Sequence, residues 1–308
     1  MTMTDKYRGF IGTYTKGDSE GIYTFVFDAK SGQISDIKLA AKLENPTYLA
    51  LSKDNRYLYS IVRDGSKGGA AAFSLNNAGE LKLINQQVTE GPQPCHAQVD
   101  NSNRYLLASN YHKGTITAYT LNQENGAIDS DPAVIHHQGK TPEQVPHVHF
   151  ASFTPDSKYI AAVDLGIDQL LTYEYANGKL RKVSQLNLKS GCGPRHLAFH
   201  PNGKYAYIMT EYSSEVILLH YHAENGTFTE VKSFSTIPAD FTENNQGSAI
   251  HISSDGRYIY AGNRGHNSIA CFRAEQNSGM LTLIDRVSSE GDWPRDFALD
   301  QTQKYLIG

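Results

Sequence analysis

Cysteine is scarce in this 308-residue chain: Cys95, Cys192 and Cys271 are an odd number without metal-ligand spacing. That argues against a disulfide framework or a structural zinc site, and it suits reduced thiols in a cytoplasmic protein. Long apolar runs are missing too. No stretch approaches the ~20 residues needed to span a bilayer, and the opening Met-Thr-Met-Thr-Asp-Lys is too polar for a secretory signal. Lysine and arginine form no runs and the net charge is −4, so the footprint of a nucleic-acid binder is absent. No window sustains an apolar period of about 3.6 residues, so little helix is expected. P-loop, dinucleotide and Gly-x-Ser-x-Gly fingerprints in a strand–helix setting are lacking as well.

What is present is repetition. The phrase Gly-Pro-Arg-His-Leu-Ala-Phe-His-Pro-Asn-Gly-Lys-Tyr (193–205) has five variants, which end in Arg/Lys-Tyr at Tyr57, Tyr105, Tyr159, Tyr258 and Tyr305. A spacing of about 46 to 54 residues marks one unit copied along an array, and periods near this length point to propeller blades. Each unit reads as four short strands with alternating apolar positions, bounded by Gly, Asn, Asp and Pro. The first ends at the Asp/Asn-Gly turn and the second begins at the Arg/Lys-Tyr. The third alternates, as in Gly114-Thr-Ile-Thr-Ala-Tyr-Thr-Leu, and the fourth opens after a glycine at Gly32, Gly79, Gly126, Gly178, Gly226 and Gly279.

The expected fold is therefore all-β: a seven-bladed β-propeller of four-stranded antiparallel blades, in which radial repetition leaves only short edges. One pattern runs throughout, so residues 1–308 read as a single domain. Second strands are counted seven times and first strands six, and the chain stops as the last second strand begins at Tyr305. On that count the closing strands, roughly 40 residues, are expected beyond residue 308.

Register turns the repeat into a candidate site. Aligned on the Arg/Lys-Tyr, the positions opening the first strands are Thr47, Cys95, His149, Arg195, Ser248 and Arg295. Six residues after each tyrosine, the ends of the second strands are Arg63, Tyr111, Leu165, Glu211 and Arg264. Antiparallel neighbours return to the same face, so both sets are expected at one mouth of a central channel. This places His149, Arg195, Glu211, Arg264 and Arg295 around one opening. Ionisable groups gathered in this way must pair or bind something. Ion pairs from Glu211 to Arg195 and Arg264 would serve to staple adjacent blades. One carboxylate among three guanidiniums nevertheless leaves positive charge, and the planar guanidinium fork suits a carboxylate or phosphate.

His147, two residues before His149, and His96, beside Cys95, are candidates for the same pocket, with Arg63 and Tyr111 as further substrate-binding positions. His196, His200, His220, His222 and His251 read as structural. His136 and His137 fall in a long insertion expected to loop over the mouth. No Cys/His cluster has zinc spacing, and Asp164, Asp296 and Glu211 are too few for a strong calcium cage, although they leave room for one weakly held ion. No metal is expected.

Taken together, the repeated phrase, Gly9-Phe-Ile-Gly-Thr-Tyr-Thr, Pro146-His-Val-His149, Val163-Asp-Leu-Gly166, Thr210-Glu211 and Gly262-Asn-Arg264 resemble the propeller-type lactonase family. That family includes bacterial 6-phosphogluconolactonases and fungal carboxy-muconate cyclases, and the likeness runs the length of the chain. The resemblance implies a seven-bladed propeller whose active histidine, arginines and glutamate fall on His149, Arg195, Arg264 and Glu211. It also implies cofactor-free hydrolysis of a phosphorylated sugar lactone, 6-phospho-D-glucono-1,5-lactone, in the pentose phosphate pathway. Either His149 or Glu211 would activate water, one arginine would stabilise the oxyanion, and Arg264 or Arg295 would hold the phosphate. Two other readings stand beside it. One is a lactonase or cyclase acting on a different carboxylated or sugar lactone. The other is a non-enzymatic propeller scaffold, for which Trp293 and Tyr111 near the mouth would be contact residues.

Overall fold

The computed structural model describes residues 5–176 and 178–308, and the polar start at residues 1–4 lies outside them. All regular elements among the described residues are β-strands. In chain order the first sheet holds β1 (Lys6–Ile11), β2 (Gly21–Asp28) and β3 (Gln33–Lys42). The next holds β4 (Leu49–Leu51), β5 (Tyr57–Asp64), β6 (Lys67–Leu75) and β7 (Leu81–Glu90). A third holds β8 (His96–Val99), β9 (Tyr105–Asn110), β10 (Thr115–Thr120) and β11 (Ala133–His136). Then come β12 (Val148–Phe153), β13 (Tyr159–Asp164), β14 (Gln169–Ala176) and β15 (Lys179–Asn187), in that sheet order. Two further four-stranded sheets hold β16 (Pro194–Phe199), β17 (Tyr205–Thr210), β18 (Glu215–His222) and β19 (Thr227–Ser235), and β20 (Gln246–Ile252), β21 (Tyr258–Arg264), β22 (Ser268–Ala274) and β23 (Leu281–Ser288). A short pair, β24 (Ala298–Leu299) and β25 (Leu306–Ile307), follows. Each sheet is ordered as the sequence is, the result of hairpins joining consecutive strands.

The recurring phrase encodes the turn between first and second strands. Five residues before each tyrosine stands a polar side chain, and in most copies it accepts the tyrosine's backbone N–H. Ser52 Oγ takes Tyr57 N at 3.0 Å, Thr154 Oγ1 takes Tyr159 N at 3.1 Å and Ser253 Oγ takes Tyr258 N at 3.0 Å. Asp100 and Asp300 do the same for Tyr105 and Tyr305 at 2.7 and 2.8 Å. A side chain capping its own turn offers the backbone a partner that a continuing strand would not. The glycines before the fourth strands have a similar local reason. Gly226 and Gly279 both adopt φ of 71°, in the left-handed region where a side chain would be strained. Gly126 has φ of 74° but is followed by irregular chain, and β11 begins only at Ala133.

The described residues form two compact units: those up to Gln138, Pro146–Ser152 and those between Ala176 and Leu180 make one, and Gly139–Val145, Phe153–Tyr175 and Arg181–Gly308 the other. In the first, β5 and β6 pack on β8, β9 and β10 through Tyr59, Ile61, Ala97, Leu106 and Tyr119. In the second, β17 and β18 pack on β20, β21 and β22 through Tyr207, Met209, Leu218, Ile259 and Phe272. Alanines at Ala261 and Ala270 let the two sheets approach closely around these larger groups. All six residues of β17 are buried, whereas β19, the fourth strand of its sheet, is largely exposed and carries Glu230 and Lys232. Charged fourth strands blunt the sheet edges against pairing with other chains.

Candidate active site

In the second unit, Arg195 and Arg264 converge on Glu211. Arg195 stands at a β-bulge: Pro194 pairs Thr210 and His196 pairs Met209, which leaves Arg195 as the extra residue. Bulges next to functional sites turn a side chain away from the alternation of its strand. The neighbouring β20 is irregular at the matching register, between Gly247 and Ile250. Glu211 follows the last residue of β17. Its N–H donates to Gly193 O at 2.6 Å and its carbonyl accepts Gly247 N at 2.8 Å, so its backbone is clamped from both sides. Gly247 permits this approach, because a Cβ there would lie 2.1 Å from Thr210 O. Gly193 is itself held by Asp168, whose carboxylate accepts Gly191 N at 2.7 Å and Gly193 N at 2.8 Å.

One carboxylate oxygen serves both guanidiniums. Arg195 Nε lies 3.1 Å and Arg264 Nη2 2.8 Å from Glu211 Oε2. The guanidiniums also donate to successive carbonyls of β20, Arg195 Nη1 to Ser248 O and Arg264 Nη2 to Gly247 O, each at 2.7 Å. Arg195 is 2% exposed and Arg264 4%. The Arg195 Nε–H is close to Glu211 Oε2 but not aimed along a hydrogen bond to it, and among the described residues neither it nor Arg264 Nε has a hydrogen-bond acceptor. Burial, then repulsion from Arg295 and Arg264, pulls Arg195 down to about 10, against the attraction of Glu211 and Asp296. It stays charged at neutral pH. Arg295 is exposed beside this cluster. Asp296 Oδ1 pairs with His251 Nε2 at 3.0 Å. Burial pushes the Asp296 carboxyl up, but His251, the Phe297 N–H and Arg195 together hold it below the usual range. Two buried guanidiniums thus share one carboxylate, Glu211, and the Asp296 carboxylate nearby is paired with a histidine. Asp164 caps its own turn through Gly166 N and Ile167 N.

In the first unit, Tyr111, His147 and His149 come together. The Tyr111 and His147 rings stack at 4.1 Å and 6°, and His147 Nδ1 lies 3.0 Å from Tyr111 O. His149, buried on β12, meets the edge of Tyr111 at 6.0 Å. Cys95 Sγ points among the carbonyls of Ser109, Val148 and His149 at 3.5 to 3.6 Å. His96 lies instead in a packed aromatic row, 4.5 Å from Tyr48 and 4.3 Å from Phe150. Arg63 is exposed, 3.5 Å from Glu44 and donating to Gly65 O at 2.9 Å. The sequence reading missed the Asp168 clamp and the His251–Asp296 pair, because neither set of partners is linked by the repeat register.

The chain matches the family described as "Lactonase, 7-bladed beta-propeller" over residues 8–308. A 6-phosphogluconolactonase from Bacillus subtilis is 50% identical over 306 residues, 98% of this chain and 87% of that protein. A protein from Lactobacillus plantarum has a crystal structure that aligns with a TM-score of 0.90 at 38% identity, covering 98% of this chain and 88% of that one. A periplasmic gluconolactonase from Pseudomonas aeruginosa aligns at 0.91 and 30% identity, with the same coverage. The repeated four-stranded antiparallel sheets are the blades of an all-β propeller, and this chain belongs to the propeller lactonase family.

Proposed function

We propose that this protein hydrolyses 6-phospho-D-glucono-1,5-lactone to 6-phosphogluconate. The observation that carries the reading is the pair of buried guanidiniums sharing one carboxylate oxygen, with Arg295 beside them. Two buried guanidiniums sharing a single carboxylate favour an anionic ligand, and the reaction has two anions to offer, a phosphate and a developing oxyanion. The 50% identity to a 6-phosphogluconolactonase supports the same substrate. We read residues 1–308 as one lactonase domain of a seven-bladed propeller. Its three cysteines, none of them in a disulfide among the described residues, suit a reducing, cytoplasmic setting.

The step needs no redox partner. A water oxygen attacks C1 as its proton leaves to a base, the carbonyl electrons move onto oxygen, and the C1–ring oxygen bond then breaks as that oxygen takes a proton. Glu211 Oε2 already serves two guanidiniums, so we assign Glu211 to holding them and His149 to the base. A placed base contributes roughly 10²–10⁴-fold. Arg195, deeply buried and pinned to Ser248 O, is assigned to the oxyanion, an interaction typically worth about 3–4 kcal/mol. Arg264 and Arg295 are assigned to the phosphate, with Tyr111 and His147 as contacts beside His149.

Glu211→Gln, through the arginines it positions, should lower turnover of the phosphorylated lactone about tenfold, and His149→Ala, through the lost base, roughly 10²-fold or more, both variants remaining folded. Parent-like rates in both would remove this assignment. A second reading, hydrolysis of an unphosphorylated sugar lactone, is favoured by the likeness to a gluconolactonase. It predicts equal kcat/KM for gluconolactone with and without phosphate.

A further inference from the structure

We propose that Trp293, the chain's one tryptophan, is a substrate-contacting specificity residue: an aromatic platform for the sugar-lactone ring beside the anion site. The inference rests on the lactonase reading above and names a contact which that reading leaves open. The ring centre lies 5.9 Å from Arg264 Cζ, so the indole adjoins the same guanidinium that is bound to Glu211. Its four-residue segment, Trp-Pro-Arg-Asp (293–296), also brings Arg295 beside Arg195 and pairs Asp296 with His251.

Two features argue for display instead of packing. Trp293 keeps 40% of its surface exposed, although a large aromatic side chain gains most from burial. Its φ of 60° lies in the left-handed region, a genuine outlier for a bulky residue. Strain of this kind persists where surroundings over-determine it, and it clusters at ligand sites. Asn267 is the surrounding that does so. Its side chain accepts Trp293 N at 3.0 Å and Gly265 N at 3.0 Å, and it donates to Asp292 Oδ1 at 2.8 Å. Its carbonyl takes the N–H and hydroxyl of Ser289 at 2.9 and 3.0 Å. Five hydrogen bonds through one asparagine hold an exposed indole next to a buried cation. A flat apolar face beside converging charges matches a ligand that joins a C–H-rich ring to an anion.

The test is a KM-against-kcat split together with intrinsic fluorescence. Trp293→Ala should raise KM for the phosphorylated lactone about 10-fold, the scale of one lost aromatic contact, with kcat within about twofold. Trp293→Phe should recover most of that loss. Emission of the parent should change saturably on titration with 6-phosphogluconate. If the parent turns over the lactone while Trp293→Ala keeps its KM and emission is unmoved at saturating product, the inference is overturned and the lactonase reading stands. If the parent neither turns over the lactone nor changes emission, both fall. A saturable change without turnover would retain the platform and remove the substrate assignment.

Discussion

Removing the Glu211 carboxylate is the sharpest perturbation the site offers. Glu211→Ala leaves two guanidiniums, with side chains 2% and 5% exposed, without their shared counter-charge. Breaking a buried ion pair by deleting one partner typically costs 3–5 kcal/mol, because the surviving charge stays desolvated. Here two charges survive, but Ser248 O and Gly247 O continue to accept from them, so a loss of about 3–5 kcal/mol is expected and not twice that. With m of about 2–3 kcal/mol/M, the urea midpoint should fall by about 1–2.5 M. Glu211→Gln, which keeps an acceptor oxygen, should lose about half as much. Inorganic phosphate should return part of the stability of the Ala variant, since a bound anion takes the carboxylate's place, and Kd sets how much. The assay is equilibrium urea unfolding followed by far-UV circular dichroism. An Ala variant within about 1 kcal/mol of the parent would mean that Glu211 does not neutralise the two buried guanidiniums. So would phosphate that stabilises parent and variant equally.

Arg264→Ala should raise KM for the phosphorylated lactone more than for plain gluconolactone, and equal effects in steady-state assays would argue against a phosphate contact. Affinity for 6-phosphogluconate, measured calorimetrically, should fall as pH rises through about 10, where buried Arg195 gives up its proton earlier than an ordinary arginine. The depressed Asp296 carboxyl contributes stability that is complete above about pH 4 and is lost as pH falls through its folded-state value. Asp296→Asn should flatten that acid limb in thermal unfolding. Asp168→Ala removes the acceptor for Gly191 and Gly193 and should cost about 3–6 kcal/mol, since hydrogen bonds to a charged group are worth about 1.5–3 each.

Much of this was written in the repeat, and the reason is local. A polar side chain that caps the turn before each tyrosine makes the phrase recur, as at Ser52, Thr154 and Ser253. The cap fixes where the second strand starts. Register then brought Arg195, Glu211 and Arg264 together correctly, and Tyr111 with His149. It also explains His96: one residue past its register position, a strand side chain turns to the opposite face, and there it packs between Tyr48 and Phe150. Arg63 holds the right register but ends a tight hairpin, where Glu44 and Gly65 take its guanidinium. The bulge at Arg195 leaves no mark in an alternating pattern, because its extra residue shows only when the partner strand is known. The Asn267 clamp on Trp293 joins chain segments that share no repeated motif, and only the folded backbone reveals it.

We assign the buried pair of arginines that share one carboxylate oxygen to lactone hydrolysis. Proton release from 6-phospho-D-glucono-1,5-lactone, followed in a pH-stat with parent protein and with Arg195→Ala, tests this assignment most directly. The parent is expected to reach kcat/KM of at least about 10⁴ M⁻¹s⁻¹, and the variant to lose roughly 10²–10³-fold in kcat. A parent no faster than spontaneous hydrolysis, or an Arg195→Ala variant as fast as the parent, would contradict it.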